Sequence, residues 1–385
     1  MNKNIKILYI FRIIRSFISG YVTVFLSLFL FNILKLPLLY IGILFSIGAL
    51  SQALLSFLIG YIGDKYDKIK LLIFISFLYP ISLIIFYLFY SNIYLLSLSF
   101  ILGGFGTVGT LAGGGVGATV TPIINSLIPY YVKEDREKVY SNFIILSGLS
   151  GSLGALLLLF NYKFDIIFGI IILTISTLLL FKLEKIENKE EEISEKIVRN
   201  EKEISKLIII AGFLNGAGVG VIYNFIPIIF NHYLGLTKDI ISIIYTIIGL
   251  LSTLSIYLVE KYIKWSIYDK IIIFRSISMI FLILTLLFVF LSNIILSIIS
   301  LSGFIIFRVI SIPAQQELIS ENTHKYMTET FGANQSLRIF GSFIFQSIGG
   351  YLLSITIFLP FIFSLLFNTL NILIYSKIKK ESLNK

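Results

Sequence analysis

The chain has 385 residues, of which 57% are hydrophobic and only 14% charged, with 31 Lys and Arg against 21 Asp and Glu. A soluble domain carries about 45–50% apolar and about 25% charged residues, so this chain has more apolar surface than a water-soluble globule of its size can hide. Cysteine is absent, which excludes disulfides.

Runs of about 20 apolar residues read as membrane-spanning helices. Twelve follow one another, near 7–33, 38–62, 70–91, 94–130, 139–161, 164–183, 206–233, 239–260, 269–291, 294–319, 331–354 and 356–376. They are long, continuous and without period-2 alternation, which predicts helices and not a barrel. The first carries Arg12 and Arg15, three apart and so on one helix face. Snorkelling accounts for Arg12. Arg15 lies roughly 12 Å into the span at helical rise, and both snorkelling and a cavity role stay open for it. After the second run comes "GYIGDKYDKIK", with five charges between Asp64 and Lys70.

The fourth run contains "GTVGTLAGGGVG", in which six of twelve residues are Gly. Each Gly disfavours helix by about 1 kcal/mol relative to Ala. Either the span is simply longer here, or its helix is broken and opened backbone lines a central cavity. Counting back from Pro122 and Pro313 sets Gly117 opposite Arg308. The fifth run holds "SGLSGSLG", Ser147 to Gly154, a small-residue seam for close helix packing. Next comes the polar segment 184–206, where Ile186, Ile193, Ile197 and Ile204 share one face of a helix. The seventh run brings Asn215, Tyr223 and Asn224, and the tenth brings Arg308, Gln315 and Glu317.

The positions of the bases define a topology. With the N-terminus in the cytoplasm, 27 of the 31 Lys and Arg fall on that side and 3 on the other, leaving Arg308 inside a span. This asymmetry places both termini in the cytoplasm and makes a nucleic-acid partner unnecessary for the basicity. Weak repeats support an even division. "YDKI" recurs at 66–69 and 268–271, "FN" at 31–32 and 230–231, and "GF" at 104–105 and 303–304. Pro122 with Leu127–Ile128 likewise matches Pro313 with Leu318–Ile319. Parallel duplication of six spans is one known transporter plan, with the substrate site between the halves.

The segment Gly60-x-x-x-Asp64-Lys65-x-x-Lys68-x-Lys70 resembles the signature loop of the major facilitator superfamily, departing from it at Asp67, where that family has a second Gly. Glu134-Asp135-Arg136 after span four is similar to another family loop. The resemblance implies a secondary transporter that works by alternating access. It also implies that Asp64 latches the halves on the cytoplasmic side, with Gly60, Lys65, Lys68, Arg136 and Arg338 in support. The span-5 seam resembles the family's antiporter motif without its Pro.

Other matches carry little. "GFGTVG", Gly104 to Gly109, has the glycines of a dinucleotide loop but no strand before it. The sequon at Asn334 sits on the cytoplasmic side. No His, Cys or carboxylate cluster suggests a metal, and no nucleophile–base pair suggests an enzyme. No cofactor is expected.

The expectation is therefore an all-α membrane protein of twelve transmembrane helices in two parallel six-helix halves, 1–183 and 207–385, joined by the cytoplasmic segment 184–206. Its function is read as secondary active transport of a small organic solute, such as export of a drug or metabolite. The alternatives are an anion uniporter or exchanger using Arg15 and Arg308, and a non-transporting membrane receptor on the same fold. Substrate candidates are Arg15, Asn215, Tyr223, Asn224, Arg308 and Gln315. No acid falls near a span's midpoint, and Glu317 is the coupling candidate for a proton or counter-ion. The Ile-, Lys- and Asn-rich composition points to an AT-rich prokaryotic genome and hence to the plasma membrane, and a monomer among membrane lipids is expected.

Overall fold

The computed structural model describes residues 3–62, 67–106, 120–132, 136–184, 201–321 and 327–383. Among them there is no strand. The first half contains α1 (Lys3–Leu28), α2 (Leu38–Ile62), α3 (Lys68–Phe89), α4 (Ile93–Gly103), α5 (Val120–Tyr131), α6 (Arg136–Gly154) and α7 (Tyr162–Leu179). The second contains α8 (Glu201–Gly220), a short α9 (Ile226–Ile228), α10 (Lys238–Tyr262), α11 (Ile267–Phe290), α12 (Ile294–Glu321), α13 (Met327–Ile355) and α14 (Phe358–Leu383). Counting α4 with α5 and α8 with α9 gives the twelve expected spans. Ten of these helical segments are long and apolar enough to cross a membrane. The exceptions are the interrupted α4–α5 pair and α13, which carries Asn334, Gln335, Arg338 and Gln346.

Polar side chains start the helices where the sequence has them. Asn92 accepts from the Tyr94 and Leu95 amides ahead of α4, and Asn293 accepts from the Leu296 amide in α12. Thr237 and Ser266 cap α10 and α11 in the same way. Asp67, at the position where the signature loop departs from its family, caps α3 by accepting from the Ile69 and Lys70 amides.

The internal repeat is visible in the backbone. Phe29–Ile33 after α1 and Ile229–Tyr233 after α9 both form a π-helical turn, 200 residues apart. Helices α2 and α10 then start at Leu38 and Lys238 and both run for 25 residues. Between turn and helix, Lys35 (φ 50°) and Gly235 (φ 68°) adopt the same left-handed conformation. The backbone register is therefore 200, and the "FN" match of the sequence lies one residue out of it.

Close crossings follow the small residues. A Cβ on Gly20 of α1 would strike the Gly151 carbonyl of α6, and one on Gly154 would strike the Phe17 carbonyl. The expected seam at Ser147–Gly154 is thus a real backbone-to-backbone approach. In the second half Gly216 of α8 meets the Arg338 backbone of α13 in the same manner. Between the halves, α2 packs along α13 and α10 packs along α6. This pairing is the one a two-fold relation between halves requires.

Span four is interrupted. Helix α4 ends at Gly103, Gly104 turns left-handed (φ 61°) and Gly106 has φ 111°. The tract proposed to open begins here, while Gly113–Gly115 and Gly117 lie outside the described residues. The freed Gly106 carbonyl accepts from Gln346 of α13 and, at 3.5 Å, from Asn224. Backbone at membrane depth is tolerated when it is satisfied in this way.

With twelve crossings between them, the start of α1 and the end of α14 share one face of the bundle, termed here the terminal face. There Lys3 meets Glu184 at 3.9 Å, and Lys379 of α14 pairs with Asp269 of α11. At the opposite, far face the halves are joined. Asn32 donates to Asn231 (2.9 Å), Ser27 to the Asn224 carbonyl (2.7 Å), Ser242 to the Ala155 carbonyl (2.8 Å) and Lys238 to the Phe160 carbonyl (3.0 Å). Deeper in, Ser46 donates to the Phe343 carbonyl (2.7 Å) and accepts from the Ser347 amide. Among the described residues, the hydrogen bonds between halves run from the far face to the middle, so the far face is closed.

Candidate substrate-binding site

Three arginines are almost fully buried within the spans: Arg15 (3% exposed), Arg275 (3%) and Arg308 (4%). A charge at such a depth is costly and, where it occurs, faces the bundle interior or a wet cavity. Each guanidinium lies over a tyrosine ring. Arg15 sits 4.9 Å from the Tyr79 centroid, Arg275 5.6 Å from Tyr375 and Arg308 5.4 Å from Tyr223. A cation over an aromatic face is attracted by the ring quadrupole, which holds the guanidinium while leaving its edge free.

The second half gathers most of this charge. Arg308 on α12 donates to the side chain of Asn215 on α8 and, at 3.4 Å, to its carbonyl. Arg275 on α11 donates to Asn371 on α14, and Asn371 in turn donates to the Ala211 carbonyl at 2.6 Å. Arg275 is within electrostatic range of Tyr375, Arg308, Arg338 and Tyr223, and Arg338 is within range of Arg308. Four helices, α8, α11, α12 and α14, together with α13 for Arg338, therefore converge on three like charges. Several of their donors are unpaired: Nε and one terminal nitrogen of Arg275, and Nε of Arg308. Among the described residues no carboxylate bridges Arg15, Arg275, Arg308 or Arg338.

Uncompensated buried cations repel one another, so such a cluster is poised to accept an anion. A carboxylate or phosphate matches the planar guanidinium fork. The first-half arginine stands apart. The neighbours of Arg15 are Tyr79, Phe11, Arg12 and, at 3.5 Å, the Ser76 carbonyl. The pairing of Arg15 with Arg308 read from the sequence is thus divided between two clusters, one in each half.

The other sequence candidates are placed as follows. Asn215 and Tyr223 stand beside Arg308 as described. Gln315 donates to Ser311 Oγ (2.8 Å), which itself donates to the Arg308 carbonyl, so it lies two turns along the same helix. Asn224 is engaged with Gly106 across the halves. Glu317 is exposed on α12 near the terminal face. Gly60 lies two residues before the end of α2, Asp64 and Lys65 lie outside the described residues, Lys68 opens α3 and Arg136 opens α6. Arg338, a candidate base for the latch, is half-buried beside the arginine cluster. Two readings are corrected. Arg275, one of the 27 bases that the charge count assigns to the cytoplasmic side, lies a full two turns into α11, buried against Asn371 and Tyr375. Arg12 does not snorkel; it donates to Ser147 Oγ at 2.9 Å and Thr121 Oγ1 at 3.1 Å.

Twelve spans, a 200-residue repeat and polar groups converging between helices describe a carrier, and comparison with known families decides which. The family model of the Major Facilitator Superfamily matches residues 8–346. The chain belongs to that superfamily. A search of curated proteins found no match. Among solved structures, the chain is similar to a D-xylose-proton symporter at 15% identity, with a TM-score of 0.71 and 97% of each chain covered. It is similar to the POT family transporter PepTSo at 11% identity, with a TM-score of 0.77, covering 100% of this chain and 99% of that one. It is also similar to the nucleoside transporter NupG at 13% identity, with a TM-score of 0.71, covering 98% of this chain and 100% of that one. These likenesses show the fold. As a Major Facilitator Superfamily member the protein is a multi-pass membrane transporter and not an enzyme.

Proposed function

We propose that this protein is a secondary transporter of a small organic anion, moved by alternating access as a uniporter or exchanger. It is a narrower form of small-solute transport, of which metabolite or drug export is one direction. The observation that carries the reading is the group Arg275, Arg308 and Arg338, with no carboxylate among the described residues to neutralise it. Asn215, Asn371, Tyr223 and Tyr375 position the guanidinium groups, and Arg15 supplies the charge of the opposite half. With the far face closed, the arrangement corresponds to a carrier open toward the terminal face. That face is taken as cytoplasmic, because the bases gather there.

In this reading the halves 1–183 and 207–385 rock about the cavity, tethered by 184–206. The loop at Gly60–Lys70, with Asp64, Arg136 and Arg338, closes the cytoplasmic side in the alternate state. The protein acts as a monomer in a prokaryotic plasma membrane. The D-xylose-proton symporter among its structural neighbours couples to protons by its name. The arginine cluster here supports an anion without one, since Glu317 is exposed.

The test is thermal-shift screening of purified protein, because a ligand of the folded state stabilises it by mass action. Carboxylates and phosphate esters are compared with neutral sugars, nucleosides and amines of the same size. Stabilisation by anions, followed by their flux into proteoliposomes, is the expected result. Stabilisation by neutral sugars or nucleosides alone would replace this substrate class with that of the structural neighbours.

A further inference from the structure

A second polar feature lies at the far face, and its charge is opposite. Asp165 is the single acid that is buried among the described residues, 1% exposed, and neither carboxylate oxygen has a hydrogen-bond partner. It stands in the first turn of α7, where the helix N-terminus favours negative charge. Yet the cap is made by Asn161, whose side chain accepts from the Lys163 amide at 3.0 Å. The Asp165 carboxylate is left out of the cap, and Asp165 is one of the residues around a cavity of about 390 Å³.

The walls of that cavity are aromatic. Tyr21 and Phe25 stack at 5.0 Å, Phe25 and Tyr162 at 6.4 Å, and Phe29 meets Tyr162 edge-on at 5.5 Å. Lys238 reaches the cavity from the second half, but its ammonium is held on the Phe160 carbonyl and not on the carboxylate. A buried carboxylate without a partner is unfavourable unless a cation or proton meets it. Aromatic faces attract cations. Bare metal ions need several oxygen ligands, and the amide oxygens of Asn161 and Asn231 in the lining already accept from the Lys163 amide and from Asn32. The volume is within the usual range of small-molecule pockets, about 300–1,000 Å³.

We propose that this cavity binds a small organic ammonium, with its charged nitrogen on Asp165 and its hydrocarbon part between Tyr21, Phe25, Phe29 and Tyr162. The site is separate from the arginine cluster, since none of Arg15, Arg275, Arg308 and Arg338 lines it. Asn231 and Lys238 come from the second half and the other walls from the first. The cavity is therefore walled by both halves.

Benzylammonium is the probe, with benzyl alcohol as its neutral counterpart and sodium chloride as the inorganic control. Equilibrium binding and thermal shift are measured on purified full-length protein. Benzylammonium should bind and raise the melting temperature, while benzyl alcohol and sodium should not. Asp165→Asn should weaken binding by at least about tenfold. Lys238→Gln, an exposed change that tests the site if Asp165→Asn fails to fold, should tighten binding because it removes a competing cation at the rim. Equal binding to Asp165→Asn and wild type, or a benzyl alcohol effect as large as that of benzylammonium, overturns the proposal. So does a shift produced by sodium alone. No binding to wild type and no gain from Lys238→Gln would mark Asp165 as a protonated packing residue.

Discussion

Arg308→Lys keeps the charge and removes the geometry, which makes it the sharpest test of the arginine cluster. Arg308 does two things at once: it donates to Asn215 and rests over Tyr223 at 5.4 Å. Its Nε has no protein partner. A lysine ammonium is a point charge without a planar fork, so it cannot hold Asn215 and present a second donor to a ligand. Loss of a hydrogen bond to a charged ligand group costs about 1.5–3 kcal/mol. At about 1.4 kcal/mol per tenfold, ligand affinity should fall by about tenfold to a hundredfold. The fold should suffer less. A polar pair between membrane helices is worth about 0.6 kcal/mol on average, so the unliganded melting temperature should drop only slightly. The assay pairs calorimetric titration of the most stabilising anion with thermal unfolding of the free protein. Unchanged affinity would refute the role given to Arg308. A large loss of unliganded stability with affinity intact would make it a structural tie between α12 and α8.

Asp64→Asn should leave folding intact, slow transport and shift the ensemble toward the form open at the terminal face. Spin-label distances across that mouth check this, and unchanged distances with unchanged flux would leave Asp64 as a loop charge. Flux of the anion should not depend steeply on an imposed pH gradient, and Glu317→Gln should not alter it, because Glu317 is exposed. Strong proton coupling would contradict the first statement, and a changed flux in Glu317→Gln the second. Gly104→Ala should destabilise by about 1–2 kcal/mol from the left-handed backbone alone, with a further loss because its Cβ would strike Gln52; an unchanged melting temperature would argue against the turn after α4. Reporters fused after Lys385 and near Asn188 should read cytoplasm, and those near Ser91 and Ser292 should read outside.

The fold was legible in the sequence because the bilayer leaves few alternatives. Apolar runs of span length can only be helices where no strand alternation exists, and the distribution of bases orients them. The repeat was legible only approximately. Its short matches are carried by side chains, whereas the two-fold relation is carried by backbone: the π-turns at Phe29–Ile33 and Ile229–Tyr233, and the left-handed Lys35 and Gly235. Lys35 shows the limit well. Nothing in its chemistry announces the conformation that Gly235 makes obvious in the other half.

The site was half legible, and the division has a physical cause. Arg308 stood out because it lies near the middle of a run, and Asn215 and Tyr223 because they are polar among apolar neighbours. Arg275 was hidden by its position, eight residues into α11 and close enough to Lys270 to pass for a loop charge. Depth along one helix cannot say whether a long side chain reaches water or turns inward. That depends on what the neighbouring helices offer. Helix α14 offers Asn371, one turn before Tyr375, so one face holds the guanidinium by a hydrogen bond and supplies a ring beneath it. Asn371 is itself fixed by the Ala211 carbonyl of α8, the helix that carries Asn215 one turn further on. Helix α8 thus anchors both arginines of the second half through two asparagines. A shift of α8 along its axis would move Arg275 and Arg308 together, and that coupling is what a carrier needs if both are to release one anion in a single step.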